Sequence, residues 1–177
     1  MTKRSAGILL FKERGAGLRL LLVHPGGPFW AKKDEGAWSI PKGEYDEGEV
    51  PLAVARREFD EELGSPAPAG GVIELGELVQ PSRKQITAYA IEGDFDPSSL
   101  KSNRFEMEWP PKSGTMQSFP EVDRAEWFTP DEARIKILPG QRPRPGVSGP
   151  WDGVSIGPRP DRSERRSGPL GDQCMYF

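Results

Sequence analysis

Apolar positions near the start of the chain fall into two short runs. Residues 6–11 and 18–23 are β-prone, and the connector between them, Lys12-Glu13-Arg14-Gly15-Ala16-Gly17, is polar and glycine-bearing. That pattern predicts a hairpin. Residues 24–36 form a loop rich in Gly, Pro and Lys, and Trp38-Ser39-Ile40 is a short extended piece stopped by Pro41. Over 50–63 the period changes. Leu52, Ala55, Phe59 and Leu63 recur at helical spacing and give one apolar stripe. Pro51 suits the first helical turn, Gly64 suits the position after the last, and Pro66 prevents continuation. Residues 72–79 and 85–91 read as strands and 94–102 as a loop. Residues 105–109 alternate apolar and acidic and form a half-buried strand ended by Pro110-Pro111. Residues 125–128 make a last short strand, and Thr129 caps a helix over 130–137 that starts on Pro130. Strands around one strong helix and one later helix predict an α/β fold with a mixed sheet.

Past Pro139 the pattern lapses into Pro, Gly, Arg and Ser. The expected division is a folded domain over 1–138 and a disordered tail over 139–177. The whole chain carries 21 Gly and 19 Pro in 177 residues, many for a compact fold. Its formal net charge of -3 argues against a nucleic-acid surface built on bulk charge, though not against a single nucleotide held through metal ions. No stretch is long and apolar enough for a membrane span, and the first apolar run reads as a strand rather than a signal peptide. The single cysteine, Cys174, rules out an internal disulfide and fits a cytoplasmic setting. With His24 the only histidine, Cys/His zinc sites are excluded. His24 itself reads as structural. Any metal must be held mainly by oxygens, which points to Mg²⁺, with Mn²⁺ as the substitute.

The chemistry concentrates between Gly43 and Gly64. Glu58, Glu61 and Glu62 stand at i, i+3 and i+4 of the predicted helix and share a face. Three like charges there call for a cation. Arg57 alone is too little and lies about 100° away around the helix. Gly43 lets the backbone bend sharply and approach a ligand or metal closely. Glu49, at the helix entrance, is favoured by the helix dipole and is within reach of Arg57 as a supporting partner. A glutamate-rich helix face is also common as plain solvated surface. Against that stands the joint occurrence of the glycine loop, the isolated glutamate, the Arg-Glu and Glu-Glu pairs and the terminal glycine.

Gly43, Glu49, Arg57, Glu58, Phe59, Glu61, Glu62 and Gly64 together resemble the Nudix box. Ser65 departs from it where the pattern wants an apolar residue, a position that packs the turn after the helix. The resemblance spans roughly residues 4–138. It implies a Nudix-type α/β/α sandwich and hydrolysis of a pyrophosphate linkage in a nucleoside diphosphate linked to a further group. It also implies metal ligation by Glu58, Glu61 and Glu62, with the backbone near Lys42-Gly43 facing the metal. Glu61 or Glu62 would deprotonate the attacking water, and Glu49 and Arg57 would support them.

The lead-in Trp38-Ser39-Ile40-Pro41-Lys42-Gly43 is similar to the W-x-x-P-K-G segment of dinucleoside-polyphosphate and nucleoside triphosphate hydrolases of that superfamily. It makes Lys42 a phosphate contact and Trp38 a base-stacking contact, against the plainer readings of exposed lysine and core tryptophan. Glu106, Glu108 and Glu121 are further acids for an extra ligand or base, or simply solvated side chains; Lys32, Lys33, Arg83 and Lys84 are loop cations for phosphates, or plain surface. A non-catalytic nucleotide-binding module of the same fold is the competing function, disfavoured because all three box glutamates are present. Substrate, oligomeric state and the number of metal ions stay open. The resemblance also leads one to expect a leucine-bearing helix after Ile137, where this chain turns to Pro, Gly and Arg; a shifted reading frame is one explanation.

Overall fold

In the computed structural model, residues 3–142 are described, apart from Ala16, Pro81 and Ser82. The first two apolar runs extend into the strands β1 (Arg4–Arg14) and β2 (Gly17–Pro25), paired as an antiparallel hairpin from Phe11↔Leu20 to Arg14↔Gly17. β3 (Lys42–Tyr45) precedes the helix α1 (Pro51–Leu63). Then come β4 (Val72–Val79), β5 (Gln85–Glu92), β6 (Arg104–Glu108), β7 (Met116–Pro120), β8 (Val122–Phe128) and α2 (Pro130–Lys136). The residues in 94–102 form a connector containing only a single 3₁₀ turn at Pro97–Ser99.

The main sheet runs β4-β5-β1-β2-β8, with β3 also on β1. β1 is its centre. It lies parallel to β5 and antiparallel to its other two neighbours, so the sheet is mixed. On its far side, β3 takes the first part of β1, from Arg4↔Tyr45 to Gly7↔Lys42, and β2 takes the last part. The two partners therefore part company beside Ile8, whose N–H donates to the Pro41 carbonyl at 3.1 Å. β6 and β7 form a separate hairpin.

Alternation along β1 divides the core. Ala6, Ile8 and Leu10 join Val54, Ala55, Phe59 and Leu63 of α1 on one face. Leu9 and Phe11 join Trp38, Ile40, Ala133 and Ile137 on the other, beside α2. Helices thus cover both faces, giving the α/β/α sandwich. Each large side chain so enclosed contributes roughly 1.5–3 kcal/mol of burial.

Two details of α1 differ from the sequence pattern. Val54 is buried whereas Leu52 is only half-buried, so the apolar stripe is Val54, Ala55, Phe59 and Leu63. With about 100° per residue, the arc from Val54 to Leu63 also contains Glu58 and Glu62, while Arg57 and Glu61 fall outside it. Two carboxylates are thereby carried partly under the protein surface. Gly64 closes the helix in the left-handed conformation, its N–H donating to the Asp60 carbonyl at 2.7 Å. At α2, Thr129 and Glu132 cap the first turn reciprocally.

The packed structure also passes the expected boundary at 138. Pro139–Gln141 form a 3₁₀ turn, and buried Gln141 accepts the Ile40 N–H at 3.4 Å. The rest of the expected tail lies outside the described residues.

Candidate active site

The site is built around the Lys42-Gly43 peptide at the start of β3. Gly43 is an ordinary strand residue, absent from the positive-φ glycines, so no sharp bend is required of it. What it provides is space. A Cβ at this position would overlap the Glu58 carboxyl group, which lies directly over it. One residue earlier, the Lys42 N–H donates to the Glu62 carboxylate. Glu58 and Glu62, one helical turn apart, thus meet the chain at adjacent residues, Gly43 and Lys42.

Their charges are balanced by separate partners. Arg57 donates to Glu58 Oε1 at 3.2 Å and to Glu49 Oε1 at 3.1 Å. The expected Glu49–Arg57 link is present, and the guanidinium arm also bridges the angular gap to Glu58. Glu49 is further fixed by the Asp46 N–H at 2.8 Å, which together with Arg57 lowers its pKa. Glu62 has no such arginine. Burial raises its pKa to about 8, with Glu58 and Glu121 adding repulsion, against the opposing pull of the Lys42 ammonium and N–H. Its Oε2 is buried and without a hydrogen-bond partner. An orphaned buried carboxylate oxygen is costly unless something absent from the chain completes it.

Lys42 is half-buried rather than exposed. Burial lowers its pKa, and Glu62, Glu58 and Glu44 pull it back up. Lys84 stands close enough to oppose its charge and is itself tied to Glu44 at 2.9 Å. Two lysines thus flank the glutamates.

Glu61 lies outside the buried arc of α1. Its main-chain carbonyl accepts the Asn103 N–H at 2.9 Å, and the Asn103 carbonyl accepts the Glu121 N–H at 2.8 Å. Glu121 faces the same acids: burial raises its pKa first, then Glu58 and Glu61. Glu106 and Glu108 lie on the β6–β7 hairpin, where Glu108 accepts the Gly114 N–H.

Trp38 is enclosed in the core, edge-on to His24 and Phe128, its Nε1–H donating to Asp34. It has no free face for a base, so the stacking role expected from the lead-in gives way to packing. The contribution of Asn103 had no signal in sequence spacing, because it comes from a pairing with Glu61 across 42 residues of chain.

Among the described residues, no three acidic or His/Cys side chains are gathered as a ready metal cluster. The arrangement accounts for that: Glu58 is held by Arg57 and Glu62 by Lys42. The donor set nonetheless fits a hard divalent cation. It comprises carboxylate oxygens, one of them orphaned and buried, beside a glycine whose missing side chain leaves the space.

The fold and its pieces have counterparts among known proteins. The chain is similar to an RNA pyrophosphohydrolase of Bartonella henselae, 39% identical over 66 residues. That stretch covers 35% of this chain and 35% of that relative, about a third of its length. A MutT/nudix family protein from Enterococcus faecalis shares the fold with a TM-score of 0.50 at 18% identity, over 72% of this chain and 44% of that one. The NUDIX domain of Shewanella oneidensis NrtR, solved with ADP ribose, does so with a TM-score of 0.50 at 18% identity, over 77% and 79%. The segment that builds the site lies inside the match to the NUDIX domain over residues 1–147, and by that match the chain belongs to the NUDIX family.

Proposed function

We propose that the protein hydrolyses a pyrophosphate linkage in a nucleoside diphosphate joined to a further group, using Mg²⁺, with Mn²⁺ able to replace it. The observation that carries this reading is the partnerless buried oxygen of Glu62 beside Glu58 and Gly43. The family match and the partial likeness to an RNA pyrophosphohydrolase support it. Dinucleoside polyphosphates and nucleoside triphosphates are the substrate class favoured by the lead-in to the box.

Glu58 and Glu62 would hold the cation, with Glu61 completing the acidic set and the Gly43 backbone leaving room. Bound there, the cation supplies neutralisation of pyrophosphate oxygens that otherwise repel a nucleophile. The attacking water gives its proton to the Glu61–Glu62 pair. Arg57 and Glu49 fix the angle of Glu58. Lys42, with Lys84 behind it, meets a phosphate oxygen and offsets the charge left on the departing phosphate.

Release of phosphate or nucleotide from a substrate panel with Mg²⁺ tests the reading. Glu62→Gln should reduce turnover by about 10²–10⁴-fold, the range for a lost proton acceptor in a metal-assisted step. Equal activity in both proteins would defeat the assignment. Tight nucleotide binding with no turnover by wild type would favour the binding-module alternative.

A further inference from the structure

His24 sits in β2 with no exposed surface, and both ring nitrogens are engaged. Nδ1 lies 2.7 Å from Asp123 Oδ1 on β8, and Nε2 lies 2.8 Å from the Lys33 main-chain carbonyl in the loop between β2 and β3. Both partners are acceptors. A peptide carbonyl has no proton to give, and a carboxylate has none either. A neutral imidazole has one N–H and one bare nitrogen, so one contact would set lone pair against lone pair in a closed site. We infer that His24 carries protons on both nitrogens and, as an imidazolium, positions the loop leading to the active-site peptide.

The surroundings suit that charge. Asp123 contacts the ring directly, and it also lies 3.6 Å from Arg124 Nε. Arg124 shares Asp123 with the ring and lays its guanidinium over Trp38, while the Lys33 ammonium lies over Trp30. Trp38 meets the imidazole edge at 5.2 Å and is bonded to Asp34, which pairs with Lys136 of α2. Through Lys33 and Trp38, one ring fixes both ends of the segment that continues into Lys42 and Gly43. A ring with a single N–H must give up one of the two bonds. The charged Asp123 keeps its donor, because a hydrogen bond to a carboxylate is the stronger one. The Lys33 carbonyl is the partner released.

His24 is the only histidine in the chain, so a long-range proton–nitrogen spectrum of isotope-labelled protein shows a single imidazole. In the folded protein both ring nitrogens should resonate as protonated. In Asp123→Asn the ring should revert to one bare nitrogen. Amide exchange in 27–36, corrected for intrinsic rates, should then rise by about tenfold, the weight of one ordinary hydrogen bond, while exchange in the middle of β2 stays put. A neutral-tautomer spectrum in the wild type overturns the inference, as does a doubly protonated ring in Asp123→Asn. Neither readout depends on catalysis, so failure here and failure of the hydrolase reading are separable.

Discussion

Gly43 and Glu62 do different work from what their residue types advertise. Glycine usually signals a turn, yet Gly43 is in a strand and its role is the missing side chain under Glu58. Gly43→Ala therefore forces the Glu58 carboxylate off its seat and away from Arg57. Mg²⁺ affinity, measured by titration, should drop roughly 10–100-fold, the usual cost of disturbing the support of a metal ligand, while the helix stays folded. Glu62 could be picked out in the sequence as an acid at the right spacing. That it would be the buried one could not, because burial depends on which side of α1 meets the sheet. Lys42 illustrates the same limit: its neighbours Glu62 and Lys84 come from α1 and the far end of the β4–β5 connection. His24 was legible as structural, but its two acceptors, one of them 99 residues away, were not.

At the scale of elements, α1 was the most legible part of the chain. Pro51 and Gly64 mark its ends in the sequence and in space. Gly64 carries a double constraint, since it is left-handed at φ 75° and a side chain there would run into Lys101, whose Cβ would be 2.6 Å away. Gly64→Ala should cost more than the roughly 1–2 kcal/mol of the left-handed conformation alone, read as a lowered urea midpoint. Two strands were not foreseen. β3 is four residues with no alternation and a glycine in the middle, defined only by its register on β1. β7 is mostly exposed, so no hydrophobic period marks it. The stripe on α1 was set one residue off because Leu52 and Val54 are equally apolar on paper, and only packing chooses between them.

For the whole molecule, the raised pKa of Glu62 ties stability to pH. Its folded value, about 8, lies above the ordinary carboxylate value of 4.5. The fold therefore prefers the protonated acid. In metal-free protein the favourable contribution is complete below pH 4.5 and is lost as pH rises through 8. Unfolding free energy in chelator should decline across that window by an amount on the order of a few kcal/mol after allowance for partial exposure, read as a falling melting temperature. Glu62→Gln should flatten the decline. On the proposed reading Mg²⁺ would compete with the same proton, so its binding should strengthen with pH over the same interval and release acid into unbuffered solution.

The β6–β7 hairpin is hydrogen-bonded to the rest of the domain at its feet and packs against the loop after β2 through Phe105 and Trp109. Asn103 and Glu121 bond to each other and to Glu61 and Gly26, and Ser102 Oγ accepts the Val122 N–H, while the strands between them form a sheet of their own. Such a part behaves as an interchangeable fitting. Its strands share no sheet with the box, so changes at its tip should leave the backbone of the box in place. That makes the hairpin the natural place to graft new substrate preferences onto an unchanged reaction.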